Sequence, residues 1–185
     1  RPGAFAAGAA GPVIGPWWSA PAAGSVRTYA DLPGFGPSIM SLEEDEWDWH
    51  GASVTEVDPS GDVCVIDSTE SWRALAERYP REVVDHRRDT QRDGWREWSG
   101  WAGPWSIPDW RAIAQEWDAV RMTVTGYLEV AGRAIELSDG SATFAAGWSP
   151  GETPWLRALP PAIGEPVRWV RVEGDRDDRW EPVGA

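Results

Sequence analysis

VCVIDSTESWRALAERYP, residues 63–80, holds a strand, a helix cap and an amphipathic helix in succession. Val63, Cys64, Val65 and Ile66 form a continuous apolar run of β-formers, which predicts a buried strand. Asp67 and Ser68 offer side-chain oxygens to the open N–H groups of a helix start. Trp72, Leu75, Ala76 and Tyr79 then fall at i, i+3, i+4 and i+7, a single apolar face that Pro80 ends. Cys64 lies inside the predicted strand with nothing near it to lower its pKa, so it reads as a buried, inert thiol rather than a nucleophile.

The same design returns after 38 residues. Ser106 or Ile107 leads in, Pro108 takes an early helical position, and Trp110, Ile113, Ala114 and Trp117 make the stripe. WRALAERY at 72–79 and WRAIAQEW at 110–117 even share letters. Two copies of so short a unit do not make a solenoid, which needs three or more repeats. Residues 86–104, between the two helices, read as irregular, because Gly94, Gly100, Gly103 and Pro104 interrupt them. Beyond the second helix, 120–124 alternates as a strand, and 127–130 reads as its continuation or a second strand. Segments 133–137 and 142–146 predict a hairpin across Asp139-Gly140, and 155–159 and 167–172 are the last strand candidates.

Upstream, residues 17–57 show short strands and turns punctuated by Pro33-Gly34 and Gly36-Pro37. Residues 1–16, rich in Ala, Gly and Pro, read as a flexible or extended arm, leaving 17–185 as one domain. Strands outnumber helices and come in runs. The expected class is therefore α+β, with mainly antiparallel strands in a split sheet or sandwich and two amphipathic helices.

Composition narrows the function classes. At 185 residues the chain fits one domain able to bury roughly 70% of its unfolded surface. All 17 basic residues are arginine, a pattern that fits a GC-rich genome and removes Schiff-base lysines and lysine-bearing phosphate loops. A net charge of −13 opposes non-specific nucleic-acid binding. Much of the acid, at 43–48 and 175–178, reads as solvated surface. The single cysteine forbids an internal disulfide, and no 18-residue apolar run offers a membrane helix. A cytoplasmic location is expected, with secretion left open; no initiator Met begins the sequence, so processing is undetermined. One Cys and two His 36 residues apart cannot supply a closed zinc site, and no metal is expected.

Fifteen tryptophans, six of them between Trp95 and Trp117, suit either a stiff core or platforms for a flat ligand. Three segments carry candidate chemistry. Trp17, Trp18 and Ser19, between prolines, form either a ligand platform or the plug at a strand end. The turn 86–96, with Arg87 and Arg88, could grip a phosphate through guanidinium forks, although Asp85, Asp89 and Asp93 offset its charge. Glu152 sits in a Gly/Pro-bounded turn framed by Trp148 and Trp155, where aromatic walls could raise the pKa of a carboxylate or let it accept sugar hydroxyls. A plain surface turn fits that segment as well.

The order of these pieces, from Gly15 to Leu159, resembles small ADP-ribosyltransferase-like domains of bacterial and phage toxins. That family's pattern is an Arg or His on the first strand, a Ser/Thr or Tyr motif on a middle strand, and a late catalytic Glu. The resemblance implies NAD as substrate and an unknown macromolecular acceptor. It further implies nicotinamide against aromatic faces, Glu152 on the ribose 2′-hydroxyl, an arginine of the 87–96 turn on the pyrophosphate, and Ser19 or Tyr127 as the middle motif. No first-strand Arg or His precedes Trp17 apart from Arg1. Two other classes compete. One is a non-catalytic acidic, Trp-rich module that binds a basic protein, such as a toxin neutraliser or phage accessory protein. The other is a carbohydrate-binding module, against which the two helices stand.

Overall fold

The computed structural model describes residues 2–5, 19–21, 25–42, 49–83, 90–174 and 179–184. The strands are β1 (Pro2–Phe5), β2 (Arg27–Leu32), β3 (Gly36–Pro37), β4 (Gly51–Val57), β5 (Val63–Ile66), β6 (Pro80–Glu82), β7 (Ser106–Pro108), β8 (Ala119–Met122), β9 (Ala134–Glu136), β10 (Ala142–Phe144), β11 (Glu152–Pro154), β12 (Ala162–Val172) and β13 (Arg179–Pro182). The helices are α1 (Ile39–Leu42), α2 (Thr69–Arg78), α3 (Thr90–Ser99), α4 (Trp110–Glu116) and α5 (Val124–Val130). The class is α+β, with five helices among the described residues rather than two.

The largest sheet runs β11-β2-β1-β4-β12-β13, with β3 added on β2, and is antiparallel throughout. Pro2–Phe5 is thus a central strand; the rest of residues 1–16 lies outside the described residues. β5 and β8 pair in parallel, and a bridge between Ala119 and Trp155 ties them to the β11 end of the large sheet. On the other side, β6-β7 and β9-β10 are joined through a Trp105–Ala142 bridge. The expected hairpin across Asp139-Gly140 is the β9–β10 pair.

The main core gathers Ile66, Trp72, Leu75, Ile113, Val120, Met122 and Val130 from α2, α4, α5 and the β5–β8 pair, with Trp148 from the connection between β10 and β11. Ser68 caps α2 with a reciprocal Ser68–Ser71 capping box, which holds Trp72 at 0% exposure. α4 is capped by Asp109, not by Ser106 or Ile107, which belong to β7. A second core stacks Trp95 on Phe144 at 5.5 Å, with Trp105 edge-on to both. In a third, Gly36 (φ +74°) leaves room for the Trp169 ring, 2.8 Å from where a Cβ would stand.

Four expectations change. Part of the 86–104 segment is helical: α3 forms despite Gly94 because burial of Trp95 outweighs the helix-interior cost of one glycine. Residues 127–130 end a helix, not a strand, since Thr123 accepts the Gly126 N–H at 2.9 Å as its N-cap. The late strand is Glu152–Pro154, and Trp155 adds only its single bridge. β5 is buried on one face alone: Cys64 and Ile66 face the main core, while Val65 is 44% exposed.

Candidate functional site

Glu152 begins β11 after a turn that only glycine can make. Gly151 has φ +76°, and a Cβ there would stand 2.6 Å from Ser38 Oγ. In register, Glu152 lies opposite Tyr29 and Pro154 opposite Arg27, so Arg27 and Glu152 are diagonal neighbours on one face. The Arg27 guanidinium donates to Glu152 Oε1, and its other nitrogen donates to the Pro21 carbonyl at 3.2 Å. Glu152 Oε2 accepts the Ser149 N–H at 2.8 Å. The carboxylate is fully buried, whereas Arg27 keeps 22% of its side chain exposed. Both oxygens are thus engaged by groups that stabilise the charged form. Glu152 is not in an open turn.

Ser19 and Trp148, two other candidates, belong to the core. The Ser19 hydroxyl donates to the Ala146 carbonyl at 3.3 Å and accepts the Ala146 N–H at 2.8 Å. The Ser19 carbonyl takes the Trp110 indole N–H at 2.9 Å. Trp148 is 5% exposed and packs edge-on to Trp72 (6.0 Å) and tilted against Trp110 (5.8 Å). Its indole N–H, like that of Trp72, has no hydrogen-bond partner among the described residues. Trp155 donates to Thr28 Oγ1 at 3.0 Å, inside the sheet. Tyr127 lies half-buried on α5 at the margin of the main core. Trp17, Trp18, Arg87 and Arg88 lie outside the described residues. Arg27 is the residue that sequence reasoning missed; its one signal is alternation with Tyr29 in Arg27-Thr28-Tyr29.

A second arrangement lies on the outer face of α2, α5 and β9. Asp67, Glu70, Glu77, Glu129, Glu136 and Asp139 are exposed there, with Arg73 and Arg133 as the nearby cations. Hydrogen bonds join the elements: Glu129 accepts the Thr69 N–H at 2.8 Å, Glu77 accepts the Ser138 N–H at 2.8 Å, and Arg73 donates to the Glu136 carbonyl at 3.1 Å. Leu128 projects from α5 at 69% exposure. α5 sits tightly on the end of β5, since a Cβ on Gly126 would lie 2.3 Å from the Ile66 carbonyl oxygen. The acidic face and β5 are therefore neighbours.

At the other end of β5, Asp118 Oδ2 accepts the Asp62 N–H at 2.9 Å and Oδ1 accepts from Arg157 at 2.9 Å. The Asp62 N–H, then Arg157, hold the Asp118 carboxyl below the ordinary Asp range. Ser141 does the same for Asp139 through its hydroxyl and N–H. Burial pushes the Cys64 thiol up, against a smaller opposing pull from Arg78, which leaves it a poor nucleophile.

Among the described residues, no group of three or more His, Cys, Asp or Glu is placed to hold a metal ion. No helix among them is long and apolar enough to cross a membrane. Comparison with protein-family models, with curated proteins and with solved structures finds no match to this chain.

Proposed function

We propose that this domain is a non-catalytic binding module for a basic protein partner, engaged through the acidic face of α2, α5 and β9. The observation that carries this reading is that face: six exposed carboxylates, of which Glu70 pairs with Arg73 at 2.5 Å, against Arg73 and Arg133, while Arg78 at the end of α2 is taken by Glu116. Leu128 stands out of the face at 69% exposure. A negative field speeds encounter with a basic surface, and an apolar side chain within it supplies contact area after encounter. The tryptophans support the same reading by their positions. Trp72, Trp95, Trp105, Trp148 and Trp155 are buried and build the core, rather than paving an aromatic cleft.

A second reading, the NAD-dependent ADP-ribosyltransferase-like domain, has one observation in its favour. Arg27, on an early strand, meets the late Glu152, an Arg–Glu combination of the kind the resemblance calls for. It would require Glu152 to leave both Arg27 and Ser149 before any ribose hydroxyl could reach it.

One experiment separates the two. The protein is titrated with folded basic proteins and, in parallel, with NAD, following tryptophan fluorescence and NAD consumption. Saturable, salt-sensitive binding of a basic protein with no response to NAD is expected. NAD binding or turnover, with no basic protein bound, would overturn the proposal in favour of the enzyme.

A further inference from the structure

We infer that the outer edge of β5 is a docking site for an extended, basic-flanked segment of the partner, added as a further strand. This inference rests on the binding-module reading above and deepens it.

The phase of the strand is fixed by backbone hydrogen bonds at its two ends. The Asp62 carbonyl accepts from the Asp118 and Ala119 N–H groups at 2.8 and 3.4 Å, and the Ile66 carbonyl accepts from Thr123 N–H at 2.9 Å. In a parallel pair, residues alternate in the side toward which they turn both backbone groups. Asp62, Cys64 and Ile66 therefore face β8, and Val63 and Val65 turn their N–H and C=O groups away from it. Among the described residues, no other strand pairs with β5. The next outward N–H, that of Asp67, is already taken by Ser71 Oγ at 3.0 Å. The open stretch is thus short and bounded: two residues whose backbone donors and acceptors point out of the sheet.

An open edge is a template for strand pairing unless something blocks it. Here neither proline nor lysine blocks it, and the side chain at its centre, Val65, is apolar and 44% exposed. Its ends select the occupant. Asp62 and Asp67 are both exposed and bracket the strand, and Glu129 reaches the Thr69 N–H just beyond Asp67. An antiparallel second copy in the register that the outward-facing Val63 and Val65 allow, Val63 opposite the copy's Val65, would set Asp62 opposite the copy's Ile66 with the copy's Asp67 one residue further on, so that like charges gather at both ends of the ladder. A strand with Lys or Arg at both ends and β-branched residues between them matches the edge instead. Arg121 lies opposite Val65 on β8, one strand further in, so it sits behind the edge and not at it. Backbone bonds would give such a complex affinity, and the two acid ends its specificity.

The test uses a heptapeptide of alternating Val and Thr flanked by lysines, and the same peptide N-methylated at alternate residues. Binding to the whole protein is followed by fluorescence anisotropy, and exchange of the Val63 and Val65 amides by NMR. The unmodified peptide should bind and protect both amides, and N-methylation should weaken it about tenfold or more. Val65→Pro should do the same without unfolding the protein, because that N–H does not bond to β8 and proline is tolerated on strand edges. Should that variant fail to fold, the N-methylated peptide and an Asp62→Asn/Asp67→Asn double variant, also expected about tenfold weaker, carry the test. Unchanged exchange at Val63 and Val65, with equal binding by Val65→Pro, would overturn the edge while the module reading stands. Binding of folded basic proteins but not of the peptide would do likewise. A dimer lost in Val65→Pro would give the edge to a second copy and overturn the proposal. Failure of every basic probe would remove both readings together.

Discussion

Arg27 and Glu152 close a buried ion pair diagonally across β2 and β11, and the same carboxylate ties down the turn that precedes its own strand through Ser149. A carboxylate at 0% exposure holds only while both partners stay. The pair welds the late segment of the chain to the early one, which is a structural duty that the turn-like sequence around Glu152 does not announce.

Removing one partner of such a pair is costly, typically about 3–5 kcal/mol when an uncompensated charge stays buried. Arg27→Ala should therefore destabilise more than Glu152→Gln, because the orphaned carboxylate is sealed while the orphaned guanidinium can reach water. Glu152→Gln should still lower the unfolding midpoint measurably, because the Arg27 guanidinium loses its charged partner. Urea denaturation of both single variants and the double variant measures the coupling directly. Full additivity would show that the two side chains do not interact.

Gly126 and Gly151 are predicted to be intolerant for different reasons. Gly126→Ala drives a methyl to 2.3 Å from the Ile66 carbonyl oxygen and should separate α5 from β5. Gly151→Ala meets Ser38 at 2.6 Å and must also hold φ at +76°. Overpacking alone costs about 1–3 kcal/mol, and the positive φ adds about 1–2 at Gly151. Thermal melts should thus place both variants below Gly132→Ala, whose Cβ would meet nothing and which carries only the cost of its own positive φ of +71°.

The two similar helices are not equal in weight. Trp72 is fully buried, and Trp72→Ala should cost about 3–5 kcal/mol, as for large core aromatics. Trp110 is only half-buried and holds Ser19 through one hydrogen bond. Trp110→Phe, which keeps most of the ring packing, should cost about 1 kcal/mol for that bond. Equal losses from Trp72→Ala and Trp110→Ala would contradict the burial difference.

Acid should loosen the β5 end of the molecule first. The Asp118 carboxyl is held below its unfolded value, so its contribution is present above the ordinary Asp pKa of about 4 and lost as pH falls through the lower folded value. Proton uptake there releases the Asp62 N–H and Arg157 together. Urea midpoints taken from pH 6 down to pH 2 should fall more steeply for wild type than for Asp118→Asn, which has no proton left to gain. Parallel curves would remove Asp118 from the account of acid sensitivity.

The strand–cap–helix unit at 63–80 was legible because capping, 3.6-residue periodicity and a proline stop agree there. The Asp139-Gly140 hairpin was legible for the same local reason. α3 was not, because Gly94 argues against a helix locally and only distant Phe144 and Trp105 reward burying Trp95. α5 was misread because Val124, Thr125 and Val130 are β-formers, and the capping signal at Thr123 lies one residue ahead of them. Glu152 stood out by its neighbours, yet its partner Arg27 is 125 residues away, a distance no local pattern spans. The acidic face was foreseen only as net charge, since its carboxylates come from three separate elements.

The binding-module claim is tested most directly by the rate at which this protein associates with a folded basic protein as ionic strength is raised. Stopped-flow mixing from about 10 mM to about 500 mM salt spans Debye lengths from roughly 30 Å to well under 10 Å. A steered encounter predicts an association rate that falls at least tenfold over that range, with a much smaller change in dissociation. An association rate indifferent to salt, or no association even at the lowest salt, would contradict it.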